Sequence, residues 1–181
     1  MDSQQLDCLR KAGRIVKECR EWAVENIRPG VEVRHILETI EEMARDQGGI
    51  PAFPAQSSRN NVAAHYCSPP SDPLIYEEGD CVKVDIGVHV DGFIADSAAS
   101  VDLSEDGRWT PLVKASRDAL TAGIATAGDG VHVTEIGAAI ERRGEGHRRF
   151  LLARRLLPWS DGCGSIGTAV AVHEEQPVGL G

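Results

Sequence analysis

The sequence predicts an α+β chain in which paired helices flank one long antiparallel hairpin. Three observations lead there. One stretch alternates apolar and polar residues at a strict period of two, two amphipathic helical stripes precede it, and the entry to the second stripe recurs one hundred residues later. From about Gln4 to Ile27, apolar positions recur at Leu9, Ala12, Val16, Cys19, Ala23 and Ile27, one face of a helix that Pro29-Gly30 stops. Val33, Ile36, Leu37, Ile40, Met43 and Ala44 give a second amphipathic helix closed by Gly48-Gly49. Residues 50–78 are rich in Pro, Ser and Asn and read as loop with short extended pieces. The hairpin follows at about 81–101, and Leu112 to Ala127 is helical again.

The hairpin is where chemistry concentrates. Val82, Val84, Ile86, Val88 and Val90 fall on one face of its first strand; Cys81, Lys83, Asp85, Gly87 and His89 fall on the other. Asp91-Gly92 suits a two-residue type I′ turn, whose central residues both need positive φ. With that turn, Val90 pairs with Phe93 and Asp85 stands opposite Ala98. Asp96 then becomes the diagonal neighbour of Asp85 on the same face, at roughly 7–8 Å between backbones. Two carboxylates presented together from a rigid hairpin suit the binding of a divalent metal; carboxylates on a hairpin also often form no more than a solvated face.

The helical organisation repeats. Gly30-Val31-x-Val33-x-x-Ile36-x-x-x-Ile40-Glu41 recurs as Gly130-Val131-x-Val133-x-x-Ile136-x-x-x-Ile140-Glu141, and Leu9-x-Lys11-Ala12-x-Arg14 is echoed by Leu112-x-Lys114-Ala115-x-Arg117. This reads as a duplicated α/β unit whose first copy runs helix, helix, loop, hairpin. After Glu141 no second hairpin follows. Residues 142–181 carry three Arg-Arg pairs (142–143, 148–149 and 154–155) and no lysine or asparagine. Residues 1–140 hold 13 basic and 23 acidic side chains, whereas residues 141–181 hold 6 and 5. The expected division is therefore residues 1–141 as the N-terminal part of a larger domain and residues 142–181 as a divergent tail, out of frame, spliced in or merely diverged. Val170-Ala-Val-His173 reads as one short strand within it.

Composition narrows the function classes. At 181 residues and 41% apolar content the chain can bury one substantial core. A net charge of −9 with no basic patch in the first 140 residues argues against nucleic-acid binding. No run approaches the roughly 20 apolar residues of a membrane span, and the N-terminus has neither the basic flank nor the apolar stretch of a signal peptide. The expected location is cytoplasmic. Five cysteines, odd in number and without Cys-x-x-Cys spacing, read as reduced thiols. Cys67 and Cys81 have no partnered base in view and read as buried small apolars.

Several of these pieces together resemble the methionine aminopeptidases, of the type II, archaeal kind, within the creatinase/prolidase "pita-bread" fold. They are Pro51-Ala-Phe-Pro54, Asn61-Val-Ala-Ala-His65-Tyr66, Glu78-Gly-Asp80-x-x-Lys83-x-Asp85, Val90-Asp-Gly-Phe-Ile-Ala-Asp96 and the Gly130 helix entry, covering about residues 6–141. The resemblance implies a pita-bread fold with its first half complete and its second half incomplete. It further implies a metal-dependent aminopeptidase that removes N-terminal methionine from nascent proteins, with N-terminal Met peptides as substrates and a possible ribosome association. It implies two divalent ions (Co, Mn, Fe or Zn), with Asp85 and Asp96 among their ligands. It also makes His65, just before the hairpin, a catalytic and substrate-binding contact near the scissile amide.

The remaining family ligands, a His and two Glu, have no clear counterpart. Gly146-His147 follows Glu141 by only six residues, too soon for the helix and strand that should intervene, and Glu174 and Glu175 lack the family's Glu-Pro context. Two carboxylates cannot satisfy two ions that each want four to six ligands, so incomplete occupancy and an inactive chain are expected. Two other readings stay open: a prolidase-like peptidase of the same fold, and a non-catalytic pita-bread module that binds proteins.

Overall fold

The first helix begins where its cap says it should. Asp2 accepts from the Gln5 amide at 2.8 Å while the Gln5 side chain accepts from the Asp2 amide at 3.0 Å, a reciprocal capping box that starts α1 at Ser3–Asn26. The computed structural model describes residues 1–145. After α1 come α2 (Val33–Asp46), β1 (Ile50–Pro51), β2 (Gln56–Arg59), β3 (Cys81–Val90), β4 (Phe93–Asp102), α3 (Thr110–Thr126) and α4 (Val133–Glu145). Gly146-His147, the second and third Arg-Arg pairs, Val170–His173, Glu174 and Glu175 lie outside the described residues.

β3 is the centre of the sheet. It pairs antiparallel with β4 along its whole length and, on its other edge, with β2 and β1. The hairpin register matches expectation residue for residue: Val90 opposes Phe93, Asp85 opposes Ala98 and Gly87 opposes Asp96. Asp91 (φ 49°) and Gly92 (φ 84°) take the left-handed backbone of the primed turn. His89 completes it, its Nδ1 accepting from the Gly92 amide at 3.2 Å.

One face of the sheet carries the core. Val82, Val84, Ile86 and Val88 from β3 are buried against Ala12, Ile15, Val16, Cys19 and Ala23 of α1 and Val33, Ile36, Leu37, Ile40 and Ala44 of α2. Burial pushes the Cys19 thiol up to about 11, and Cys19 donates weakly to the Ile40 carbonyl at 3.4 Å, so it behaves as a small apolar group. Ser97, also buried, accepts from Arg20 at 2.7 Å, tying α1 to β4. With α1 and α2 on one face, the opposite face is left for Lys83, Asp85 and Gly87.

The segment between β2 and β3 is fixed by a polar hub. Asp80 is buried; it accepts from Arg59 at 2.9 Å, from Asn60 Nδ2 at 2.7 Å and from the Glu77 amide at 2.9 Å. Tyr76 is fully buried beside it, its hydroxyl donating to Ser57 at 2.9 Å. The repeat seen in the sequence is a repeat of backbone too. Gly30 (φ 87°) and Gly130 (φ 74°) both turn in the left-handed region, and Val31 and Val131 each donate 3.2 Å bonds to the carbonyl three residues back.

Candidate active site

Asp85 and Asp96 do come together. The hairpin holds them on the same face, one pair apart across β3 and β4. Their closeness shows in the protonation of Asp85, whose carboxyl is pushed up to about 6. Burial is the largest cause, followed by the charge of Asp96 and a hydrogen bond between the two side chains. Such a bond needs one of the two carboxyls protonated. His65 and the Ile86 amide pull in the opposite direction.

His65 arrives on a loop and not on an element. It is exposed and has φ 67°, a backbone conformation uncommon for a residue with a side chain. The loop is tied at its exit by the Ser57 amide, which donates to the Tyr66 carbonyl at 3.0 Å. Tyr66 in turn donates to Asp72 at 2.9 Å, where Asp72 also accepts from Ser68 at 2.6 Å. The hairpin thus brings Asp85 and Asp96 together, whereas His65 sits on an exposed loop and is linked to the pair by its electrostatic influence on the Asp85 carboxyl.

Two neighbours escaped the sequence reading. Phe53 lies over Gly87, so close that a Cβ added at residue 87 would clash with the ring. The glycine is there because an aromatic ring occupies the space a side chain would take, which makes Phe53 an apolar wall beside the acid pair. A glycine inside a strand is the available signal for such close approach. Gln56 stands directly opposite Asp85 on β2, and its Oε1 is buried without a hydrogen-bond partner. One expectation is corrected here: Cys67 is exposed rather than buried, because it lies on the irregular loop between β2 and β3 and not on a core-facing element, while Cys81, on β3, is buried as expected.

The donor set fits one side of a hard divalent cation. Two convergent carboxylates, one of them pushed up by burial and by the charge of the other, and an orphaned amide oxygen across the strand are the oxygen chemistry such an ion takes. Among the described residues no group of three or more His, Cys, Asp or Glu is assembled, so a two-ion cage is not complete within them.

Known proteins place this arrangement. The fold is that of the pita-bread aminopeptidases and prolidases, represented over its first half. A methionine aminopeptidase structure from Rickettsia prowazekii superposes with TM-score 0.71 at 24% identity, over 81% of this chain and 62% of that one. One from Thermotoga maritima gives 0.74 at 23%, over 81% and 61%. The prolidase from Pyrococcus horikoshii OT3 gives 0.69 at 19%, over 81% and 42%. Residues 7–180 match the family described as metallopeptidase family M24, and the chain belongs to that family. Among curated relatives, methionine aminopeptidases of Archaeoglobus fulgidus and Pyrococcus horikoshii are 43% identical over 141 residues and 45% over 136. These alignments cover 78% and 75% of this chain but 47% and 45% of the relatives, so the chain spans about half the length of the curated relatives it matches. Among the described residues no helix is long and apolar enough to cross a membrane.

Proposed function

We propose that this chain carries the first, carboxylate-bearing half of a metal-dependent methionine aminopeptidase. The observation that carries this reading is the placing of Asp85 and Asp96 side by side on one face of the hairpin, with His65 near enough to influence the Asp85 carboxyl. Asp85 and Asp96 hold a divalent ion, with Gln56 Oε1 available as a further oxygen. When bound, such an ion polarises the scissile carbonyl and makes water a better nucleophile. His65, on the loop between β2 and β3, would contact the substrate beside the scissile amide. The Phe53 ring gives an apolar surface on which the flexible thioether side chain of methionine packs well.

The substrates on this reading are N-terminal Met peptides of nascent polypeptides, met in the cytoplasm and at the ribosome. The prolidase likeness is one of fold at 19% identity, whereas the relatives at 43% and 45% are methionine aminopeptidases. A purely protein-binding role is disfavoured by an acid pair that is intact and convergent.

Residues 142–181 are proposed to be an out-of-frame or spliced-in tail that supplies none of the later ligands. Reading the coding DNA beyond codon 141 in the other two frames tests this: a Gly-His strand and later Glu-bearing strands are expected there. Elemental analysis of the purified protein is expected to give fewer than two ions per chain, with cleavage of Met peptides near background. Two bound ions and full turnover with added Mn²⁺ or Co²⁺ would overturn the account of the tail.

A further inference from the structure

Lys83 lies on the same face of β3 as Asp85, two residues before it, in a chain with only four lysines. It does not pair with a carboxylate: among the described residues no acidic oxygen lies within ion-pair distance of its ammonium. Instead Nζ donates to two backbone carbonyls of the neighbouring loop, those of Asn60 at 3.1 Å and Val62 at 2.6 Å. A charged donor on a carbonyl makes a bond about twice as strong as a neutral one.

The loop has a tie at each end and this one between them. Asn60 is fixed at the entry, its amide donating to the Cys81 carbonyl at 2.9 Å and its Oδ1 accepting from the Cys81 amide at 2.9 Å. The Tyr66 carbonyl is fixed at the exit. Past residue 60, the Val62 amide donates to the Arg59 carbonyl at 2.9 Å, which only closes a local turn. The bond from Lys83 to the Val62 carbonyl is what connects the middle of the loop to the sheet, three residues before His65.

We propose that Lys83 is a positioning residue that anchors the 60–62 backbone to β3 so that the loop presents His65 to the acid pair. This rests on the reading of His65 as a substrate contact. Lysine suits the task because one flexible ammonium with three donors serves both carbonyls at once.

The test uses the full chain with Mn²⁺ as the probe, comparing wild type with Lys83→Met and Lys83→Arg by NMR. In Lys83→Met, exchange of the Asn60 and Val62 amides is expected to accelerate about tenfold or more relative to the β3 amides. Paramagnetic broadening of the His65 ring by Mn²⁺ is expected to fall while Mn²⁺ affinity is not weakened. Lys83→Arg, which keeps a charged donor, is expected to recover most of both signals. If the β3 amides show that Lys83→Met does not fold, Lys83→Gln is read in the same way. Unchanged Val62 exchange together with unchanged His65 broadening overturns the proposal. Absence of Mn²⁺ binding in wild type defeats the metal reading instead, and the amide exchange then still decides the role of Lys83.

Discussion

The α1–α2 pair and the α3–α4 pair share a sequence pattern and part company in what they bury. Val33 and its counterpart Val133 occupy the same place after a left-handed glycine turn, yet Val33 is 0% exposed and Val133 74%. Ile36 and Ile40 are fully buried; Ile136 and Ile140 are only half-buried. The difference lies in what each pair meets. α1 and α2 close over β3 and β4, which supply a continuous row of valines and isoleucine. α3 and α4 pack mainly on each other, with Ile140 set against Gly123 where a Cβ would meet it at 3.0 Å. Local sequence is enough to set helices and the turn between them, but burial of their apolar stripe requires a sheet.

The comparison can be broken at the largest expected effect first. Asp80→Ala leaves the half-buried Arg59 guanidinium without its 2.9 Å partner and frees the start of the His65 loop. A loss of about 3–5 kcal/mol is expected, read as a lowered urea midpoint. Ile40→Ala opens a cavity in the first pair's core and is expected to cost about 2–5 kcal/mol. Smaller is Asp102→Asn at the β4–α3 junction, where the carboxylate accepts from the Ser104 amide at 2.9 Å, the Trp109 amide at 3.1 Å and the Thr110 hydroxyl at 2.8 Å. About 1 kcal/mol is expected at pH 7.

Asp102 also sets a pH dependence. Burial pushes its carboxyl up, but the hydrogen bonds from Ser104 and Thr110 outweigh this and hold it below the usual value of 3.8. Its contribution is present above the unfolded pKa and is lost as the pH falls through the lower folded one. Urea midpoints of the wild type should therefore drop toward those of Asp102→Asn below about pH 4. Smallest of all, Val133→Ala should change stability by less than about 0.5 kcal/mol. A loss there as large as at Ile40 would show that α4 is covered as α2 is, and the contrast between the two pairs would collapse.

How much could be read from the sequence follows the same division. The hairpin register was legible to the residue because its causes are local: a period of two and an Asp-Gly turn. The helix stripes were legible for a similar reason, and Ile15, missing from the expected stripe of α1, still falls on its buried face. The route of residues 50–78 was not legible. The loop that carries His65 is tied through Asn60 and Val62 to Asp80, Cys81 and Lys83, distant in sequence, and no periodicity encodes that. Phe53 over Gly87 and Gln56 across from Asp85 are likewise products of strand pairing. Cys67 was placed inside for want of a partnered base, and the loop's path puts it outside.

The central claim is that the hairpin presents Asp85 and Asp96 as one cation-binding pair. Titrating the metal-free protein with Mn²⁺, followed by water-proton relaxation, tests it most directly in wild type, Asp85→Asn and Asp96→Asn. Wild type should bind with a stoichiometry below two, and each substitution should weaken that binding at least about tenfold, or 1.4 kcal/mol. Binding that survives unchanged in both variants would contradict the account.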